Sequence, residues 1–283
     1  MATLITGGGS QIGLRLAQLL GEVGKPVIFA SRSGSRIPEG APHVKFDWDD
    51  PSTFEAPFSL GQKIDYVYIL GPSDYDPLPK AKPFIDLAVA KGVKRFIALS
   101  ASGDHTEKGP GATEMGRVHT YLHDQGLDYV ALRPTWFTEN IARFYGHGIK
   151  ANGLIQNVVE KGPVAFVAVE DIAQTAFKAI TDVESLRTRE PFLIGPDLVS
   201  YQDVVAILSE VLGREITYKV ISVEDQIALY RQLGLSEEFA PILANIEKAL
   251  DDGADLRTAT DPRAIKGKVG VREWIEKNKG TFI

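Results

Sequence analysis

A glycine-rich turn near the N-terminus joins a strand-like run, Ala2 to Thr6, to a pattern typical of an amphipathic helix. The turn reads Thr6-Gly7-Gly8-Gly9-Ser10-Gln11-Ile12-Gly13. One helical face then carries Ile12, Leu16, Leu19, Leu20 and Val23. A second β-rich run, Val27 to Ala30, follows. The chain therefore opens on a strand–helix–strand unit, which is the building block of a parallel sheet.

The same alternation continues over the first two thirds of the chain. The strand-like runs are Thr3 to Thr6, Val27 to Ala30, Val44 to Phe46, Tyr66 to Leu70, Arg95 to Ser100 and Tyr129 to Leu132. Short β-rich runs separated by helical patterns indicate an α/β fold. We expect a Rossmann-type doubly wound parallel sheet with a smaller C-terminal region.

The pattern loosens after Arg133. There we expect helices over Phe137–Tyr145 and Asp171–Ile180, a loop over Asn152–Pro163 and strands at Ala165–Val167 and Phe192–Ile194. Ser200 and Asp203 predict a capped helix that ends at Gly213. Two further helical patterns cover Val223–Leu233 and Ser236–Leu250. We expect these last segments to form a lid or small lobe.

The glycine-rich turn lies where a dinucleotide fingerprint is found in such folds. Gly7 allows a sharp turn, Gly9 and Ser10 allow backbone N–H groups to approach a pyrophosphate, and Gly13 allows close packing of helix and sheet. The alternative is a plain glycine-rich turn with no ligand. The cofactor-binding residues predicted here are Thr6, Gly7, Gly9, Ser10, Gln11, Ile12 and Gly13.

The end of the second strand decides which dinucleotide fits. An acidic residue there would hold a ribose 2′-hydroxyl, whereas the sequence has Ser31-Arg32-Ser33. A guanidinium with two hydroxyls suits a 2′-phosphate, so NADPH/NADP+ is favoured. Arg32 can instead be a solvated surface residue. Asp47, after the third strand, is expected against the adenine amino group or, equally, as a turn residue.

Composition excludes several other functions. The chain has 31 Lys and Arg against 37 Asp and Glu, which gives a net charge of −6. No run of basic residues is long enough to follow the phosphate backbone of a nucleic acid, so we expect no nucleic-acid partner. With no cysteine and five scattered histidines we expect no metal. No apolar window approaches about 18 residues, so we expect a cytoplasmic protein without a membrane partner. The sequence leaves a homo-oligomer open.

The usual proton donor of a short-chain dehydrogenase is missing. No tyrosine is followed four residues later by lysine. His119 is the candidate general acid by residue type, with a structural histidine as the alternative. A donor is unnecessary if the substrate is an iminium, because its carbon already carries the charge that protonation would create, and orientation then does most of the catalysis.

A second set of residues is expected at the mouth of the sheet. Ser100 and Ser102 follow the fifth strand, where they can hydrogen-bond cofactor or substrate, or merely cap a turn. Aromatic faces stabilise a cation. The candidate aromatic residues are Tyr75, Trp136, Phe137 and Phe166, each of which can equally be ordinary core or lid packing.

With these residues considered, the chain resembles the NmrA-like family of atypical short-chain dehydrogenases, and within it the ergot alkaloid dehydrogenases. The resemblance covers nearly the whole length. Its most specific runs are Phe46-Asp47-Trp48 and Arg133-Pro134-Thr135-Trp136-Phe137; others are Ala30-Ser31-Arg32-Ser33-Gly34, Lys91-Gly92-Val93-Lys94-Arg95-Phe96 and Ile194-Gly195-Pro196-Asp197. Two departures are Ser10 in place of a middle glycine and a loop, Gly153 to Asn157, without the expected tyrosine.

The resemblance implies NADPH-dependent reduction of an iminium formed from chanoclavine-I aldehyde, which closes the fourth ring of an ergoline. It also implies that Gly71 and Pro72 border the cofactor and that Arg133 to Phe137, including Pro134 and Trp136, line the nicotinamide side. Trp48 and Ala101 complete the expected cofactor set. We expect residues 1–182 to form the NADP-binding domain and 183–283 the substrate-covering region packed on it.

Two other functions stay open at this point. The first is a non-catalytic NADP(H) sensor, which would bind the cofactor without oxidising it. The second is a quinone or enone reductase, which would need a proton donor and show a pH dependence traceable to His119.

Overall fold

The computed structural model describes residues 2–72, 74, 76–102 and 115–283. The strands are β1 (Ala2–Thr6), β2 (Val27–Ser31), β3 (His43–Lys45), β4 (Ile64–Ile69), β5 (Arg95–Leu99), β6 (Tyr129–Pro134), β7 (Leu154–Asn157), β8 (Phe192–Ile194), β9 (Thr217–Val220) and β10 (Ala264–Lys266). The helices are α1 (Gln11–Glu22), α2 (Leu78–Ala90), α3 (Met115–Asp124), α4 (Asn140–Asn152), α5 (Val169–Thr181), α6 (Tyr201–Leu212), α7 (Val223–Gln232), α8 (Phe239–Lys248), α9 (Ala254–Thr260) and α10 (Val271–Lys277).

One sheet contains eight strands in the order β3-β2-β1-β4-β5-β6-β8-β10. The pairs β1–β2, β1–β4, β2–β3, β4–β5 and β5–β6 are parallel, with Ile5 opposite both Phe29 and Tyr68. The chain order reverses between β1 and β4, and ligands of doubly wound sheets bind at such a reversal. The predicted fold class is confirmed.

Residue contacts divide the chain into two compact units. Unit 1 comprises Met1–Pro134 and Ile172–Phe192, and unit 2 comprises Thr135–Asp171 and Leu193–Ile283. The predicted boundary between residues 182 and 183 does not coincide with this division, because residues 135–171 join unit 2 and residues up to Phe192 stay with unit 1. The periodicity of apolar residues along the sequence does not indicate that the chain passes between the two units three times.

Unit 1 forms around strands that are apolar on both faces. Every residue of β1 is buried, as expected for a central parallel strand. In α1 the buried residues include Ile12, Leu16, Leu19 and Leu20, as predicted, but Val23 is the C-cap after the last helical residue and is 54% exposed, so the predicted stripe ends at Leu20. The core on one side of the sheet is built from β1, β2, β4, β5 and β6 together with α2 and α3.

Unit 2 is less regular. Its small sheet pairs β7 with β9 in parallel, with Ile155 opposite Tyr218. The predicted capping box is present at the start of α6, where the side chains of Ser200 and Asp203 bond reciprocally to backbone N–H groups. The helix ends at Gly213, whose φ of 69° is the left-handed conformation that glycine adopts without strain.

Two predictions for this region need correction. The stretch Asn152–Pro163 is not all loop, because it contains β7. Conversely, Ala165–Val167 forms no regular strand: Val164 bridges Val199 and Val167 bridges Phe137, each as an isolated pair. Short apolar runs do not specify whether a remote partner will extend the pairing. None of the helices within the described ranges has the length and hydropathy that crossing a membrane requires.

Candidate cofactor site and substrate-facing residues

The glycine-rich turn connects β1 to α1 as predicted. Gly7 has a φ of 61°, Gly8 N–H donates to Ala30 O at 3.1 Å, and Ser10 N–H donates to Gly7 O at 2.8 Å. Ser10 caps α1, because its Oγ accepts from Gly13 N–H at 3.1 Å. The first-turn N–H groups of a helix lack intrahelical acceptors, so the start of α1 offers donors and a positive dipole end to an anion.

Each glycine in this turn has a neighbour that excludes a side chain. A Cβ at Gly7 would lie 2.6 Å from Leu70 Cδ2, and one at Gly13 would lie 2.8 Å from Ser10 Oγ and 3.0 Å from Ile5 Cγ2. A Cβ at Gly9 would lie 2.4 Å from Ser35 O. The close approach at Gly9 therefore brings the turn against the loop after β2, so two segments predicted from separate signals meet.

That loop is built by its own hydroxyl groups. Ser31 Oγ accepts from Gly34 N–H at 3.1 Å and lies 3.1 Å from His43 Nε2, while Ser33 Oγ accepts from Ser35 N–H at 3.2 Å. Arg32 is exposed. The serines shape the loop, and the guanidinium of Arg32 is accessible to a phosphate.

Sequence reasoning missed Arg36 in the same loop. It is exposed and has a φ of 65°, the only positive φ among the described non-glycine residues. Its place beside Ser35, whose carbonyl borders Gly9, puts a second cation next to the predicted cofactor corner. The available signal was a second arginine four residues after Arg32.

The residues predicted after β3 and β4 have clear structural roles. Trp48 donates its indole N–H to Leu70 O at 3.2 Å and packs edge-on against Phe46 with ring centroids 4.7 Å apart. Asp47 Oδ1 accepts from Asp49 N–H at 3.1 Å, which is the turn alternative. A Cβ at Gly71 would lie 2.2 Å from Met115 Sδ. Pro72 is half-buried. Cofactor contacts by these four residues stay predictions.

Thr6 and Ser100 differ in how their hydroxyls are used. Thr6 Oγ1 is buried, accepts from Leu70 N–H at 2.9 Å and lies 3.1 Å from Tyr68 O, so it ties β1 to the end of β4. Ser100 Oγ is buried with no hydrogen-bond partner among the described residues. A buried hydroxyl without a partner is uncommon, and such a group can accept or donate a hydrogen bond to a bound molecule. A contact of Ser100 with cofactor or substrate stays a prediction, whereas the Thr6 side chain is engaged in structure.

The segment after Ser100 is tied to β6. Ala101 O accepts from Arg133 Nε at 3.2 Å, and Ser102 N–H donates to Pro134 O at 3.0 Å. The guanidinium of Arg133 also lies 4.2 Å from the centre of the Phe192 ring. Tyr75, a predicted substrate residue, and residues 103–114 lie outside the described residues.

The structure does not favour His119 as a proton donor to substrate. Its side chain is fully buried, and Nε2 lies 3.0 Å from Glu190 Oε1. Tyr129 also donates to Glu190 at 2.5 Å. The hydrogen bond from His119, and then that from Tyr129, lower the pKa of Glu190 to about 2 against the effect of burial. His119 is therefore placed as a structural histidine, and its catalytic role stays a prediction without geometric support.

The predicted substrate residues of unit 2 have different surroundings. Phe166 is 1% exposed and its ring centroid lies 5.8 Å from that of Tyr201, so it belongs to the core of the unit. Phe137 is half-buried beside Val167. Trp136 is buried, yet its indole N–H has no partner among the described residues. Among these three aromatic residues, Trp136 is therefore the one whose side chain can still donate a hydrogen bond to a bound molecule.

Comparison with known proteins agrees with this geometry. Residues 7–182 match the family model described as NAD(P)H-binding. The chain is 37% identical to festuclavine synthase I of Penicillium roqueforti over 260 residues, covering 87% of each chain. It is 33% identical to agroclavine dehydrogenase of Claviceps fusiformis over 292 residues, covering 100% of this chain and 99% of the relative.

Solved structures share the fold at low sequence identity. The NADPH-dependent quinone oxidoreductase QOR2 of Escherichia coli aligns with a TM-score of 0.76 at 20% identity, covering 98% of this chain and 99% of that one. Triphenylmethane reductase of Citrobacter sp. aligns with a TM-score of 0.71 at 19% identity, covering 100% and 99%. The chain therefore belongs to the NAD(P)H-binding family and, within it, is a relative of the festuclavine and agroclavine dehydrogenases.

Proposed function

We propose that this chain is an NADPH-dependent reductase that transfers a hydride to the iminium derived from chanoclavine-I aldehyde and so forms a tetracyclic ergoline, agroclavine or festuclavine. The observation that carries the proposal is the similarity to festuclavine and agroclavine enzymes over 87–100% of the chain. The lack of a Tyr-x-x-x-Lys pair agrees with it, because an iminium needs no proton from the protein.

The residues of unit 1 fit a reduced dinucleotide. The start of α1 supplies N–H donors for the pyrophosphate, and a Cβ at Gly7 or Gly9 would obstruct the turn that presents them. Arg32 and Arg36 supply positive charge for a 2′-phosphate. Ser100, at the carboxyl end of β5, offers a buried hydroxyl that has no hydrogen-bond partner in the part of the chain that the structure describes. NADPH, when bound, supplies the hydride; the protein binds, orients and shields.

Turnover is the direct test of this function. Purified protein is mixed with NADPH and chanoclavine-I aldehyde, and we expect oxidation of NADPH together with a tetracyclic product detected by its mass. Turnover of simple quinones with no tetracyclic product would favour the quinone reductase. Cofactor binding without oxidation by any iminium would favour the sensor.

Arg32→Ala tests the cofactor preference. Because a guanidinium–phosphate contact is charge-assisted, we expect the Kd for NADPH to rise by roughly tenfold to a hundredfold, with little change for NADH. Titration of each cofactor against both proteins measures this. Arg36→Ala is the matched variant, and we expect a smaller loss because Arg36 lies farther along the loop. Equal losses of NADPH and NADH would reject 2′-phosphate recognition by Arg32.

A further inference from the structure

The edge of the large sheet brings a histidine to the loop after β2. β3 pairs with β2 in parallel, with His43 opposite Phe29 and Lys45 opposite Ser31. Alternate residues of a strand share a face, so the side chains of these four residues project from the same side of the sheet. His43 is exposed, and its imidazole reaches along the strand direction to Ser31, 12 residues earlier in the chain. A residue of β3 therefore contacts the segment that carries Arg32.

Gly34 makes room for this imidazole. Its φ of 69° is left-handed, and a Cβ there would lie 3.1 Å from His43 Cε1 and 3.4 Å from His43 Nδ1. Its N–H donates to Ser31 Oγ at 3.1 Å. The backbone at Gly34 thus lies close to the histidine ring and is also bonded to the serine. The loop and the imidazole are held against each other at one point, which is the hydroxyl of Ser31.

The two oxygens of Ser31 decide which nitrogen of His43 carries the proton. Nε2 lies 3.1 Å from Ser31 Oγ and 3.3 Å from the Ser31 carbonyl oxygen. A carbonyl oxygen can only accept a hydrogen bond, and an unprotonated Nε2 at this place would set its lone pair against those of the carbonyl. The geometry therefore favours the tautomer in which Nε2–H donates to both oxygens of Ser31 and the free lone pair is on Nδ1.

This tautomer fixes what the Ser31 hydroxyl can offer to a ligand. A serine oxygen has two lone pairs and one proton. The N–H of Gly34 and Nε2–H of His43 use the lone pairs, so the proton is left to donate. An ionised 2′-phosphate only accepts, and a hydrogen bond to it is charge-assisted. With the opposite tautomer the hydroxyl would donate to the imidazole and present a lone pair, which a phosphate repels.

We infer that His43 helps to determine the cofactor preference: by donating from Nε2 to Ser31 it keeps the proton of the serine hydroxyl available to a 2′-phosphate and so favours NADPH over NADH. His43 is a positioning residue, because it acts through Ser31. The inference rests on the proposed function, in which Arg32 supplies positive charge for the 2′-phosphate, and deepens it. Charge attracts the phosphate, whereas the oriented hydroxyl adds a directed donor that depends on a residue of the neighbouring strand.

Two substitutions separate the N–H group of His43 from its shape. His43→Gln keeps a side-chain N–H donor, whereas His43→Phe keeps a planar ring beside Gly34 and has no donor. Isothermal titration calorimetry of the full chain with NADPH and with NADH gives the Kd values. We expect His43→Phe to raise the Kd for NADPH roughly threefold to tenfold with little change for NADH, and His43→Gln to stay within about twofold of wild type. His147→Phe is the matched control on an exposed histidine of α4, and we expect it to change neither Kd.

A double-mutant cycle tests whether His43 acts through Ser31. Ser31→Ala removes the hydroxyl, so we expect the Kd for NADPH to rise about tenfold. No hydroxyl is then left for His43 to orient, so adding His43→Phe should raise that Kd no further. Additive losses would show that His43 acts on the cofactor independently of Ser31, and they would overturn the inference.

Nitrogen-15 NMR of the wild type identifies the tautomer without any variant. In mildly alkaline buffer we expect the chemical shifts of His43 to place the proton on Nε2. A proton on Nδ1, equal losses of NADPH and NADH in His43→Phe, or a loss in His43→Gln as large as in His43→Phe would each overturn the inference. These measurements use no alkaloid, so their failure would leave turnover of chanoclavine-I aldehyde standing. Failure of that turnover with the expected binding results would contradict the proposed function only.

Discussion

The two units supply acceptors to their backbone N–H groups in different ways. In unit 1 neighbouring parallel strands pair over three or four residues each, for example Phe96 to Leu99 with Tyr129 to Leu132. In unit 2 carboxylates replace strand partners. Asp251 accepts N–H bonds from Glu160, Lys161 and Gly162, Asp255 from Ala165, Glu139 from Val169, and Asp171 from Lys268 and Val269.

This difference explains why unit 2 is irregular and still ordered. Every buried N–H needs an acceptor, and a carboxylate can supply two oxygens to a loop that has no strand beside it. For Asp251, burial would raise the pKa, but the three N–H groups and Lys248 lower it overall. The stability of unit 2 should therefore depend on hydrogen bonds between carboxylates and backbone N–H groups. The stability of unit 1 should depend mainly on strand pairing in its sheet, with few exceptions.

Glu190 is such an exception in unit 1, and it carries the largest expected effect. Its pKa is lowered from 4.5 to about 2, chiefly by His119. A depressed folded pKa contributes stability that is complete above the unfolded pKa and lost as pH falls through the folded one. We expect Glu190→Gln to cost about 3 kcal/mol at neutral pH and about 1 kcal/mol near pH 3.

Urea unfolding over a pH series measures this loss. Glu184→Gln is the control, because that side chain is 86% exposed and lies nearby in sequence. A constant difference between wild type and Glu190→Gln at all pH values would show that the carboxylate contributes by shape and not by charge.

Asp255 in unit 2 should behave with the opposite sign. Burial raises its pKa from 3.8 to about 6, although Ala165 N–H donates to it at 2.9 Å. The folded state then binds more protons between these values, so stability falls as pH rises through that window. Asp255→Asn keeps an acceptor without the charge, and we expect it to be more stable by about 2 kcal/mol at neutral pH and equal to wild type near pH 4.

Thermal or urea unfolding at the two pH values tests this gain. Asp252→Asn is a matched control on the same segment, since Asp252 is exposed. A loss of stability in Asp255→Asn at neutral pH would mean that the ionised carboxylate is needed to hold Ala165, and the sign argument would be wrong.

The smallest effects separate two hydroxyls of unit 1. Thr6→Val leaves Leu70 N–H without its acceptor, so we expect a loss of about 1 kcal/mol in unfolding free energy. Ser100→Ala removes a hydroxyl that has no described partner, so stability should stay within about 0.5 kcal/mol. If Ser100 contacts cofactor or substrate, kcat/KM should fall roughly threefold to tenfold. If Ser100→Ala instead lost stability and Thr6→Val instead lowered kcat/KM, Ser100 would have the structural role and Thr6 the contact with cofactor or substrate.

Much of unit 1 could be predicted because its signals are local. Strand runs, the helical stripe and the turn from Thr6 to Gly13 lie within about 30 residues, and each reflects a backbone requirement of a parallel strand–helix–strand unit. The glycines of the turn and the segment Ser31-Arg32-Ser33 could be predicted for the same reason, because the signals lie close together in the sequence. Arg36 and the engagement of the Thr6 side chain did not, because they depend on which segment lies opposite.

Sequence alone determined the strand–helix order, the cofactor turn and the likeness to alkaloid dehydrogenases, since spacing and residue type carry that information directly. Tertiary structure decided the rest. It buries His119 against Glu190, 71 positions farther along, and it gathers Tyr145, Asn157, Tyr201 and Tyr230 around Glu247. The physical reason is that a side chain's chemistry is set by its neighbours, and here the neighbours are brought together only when remote segments pack.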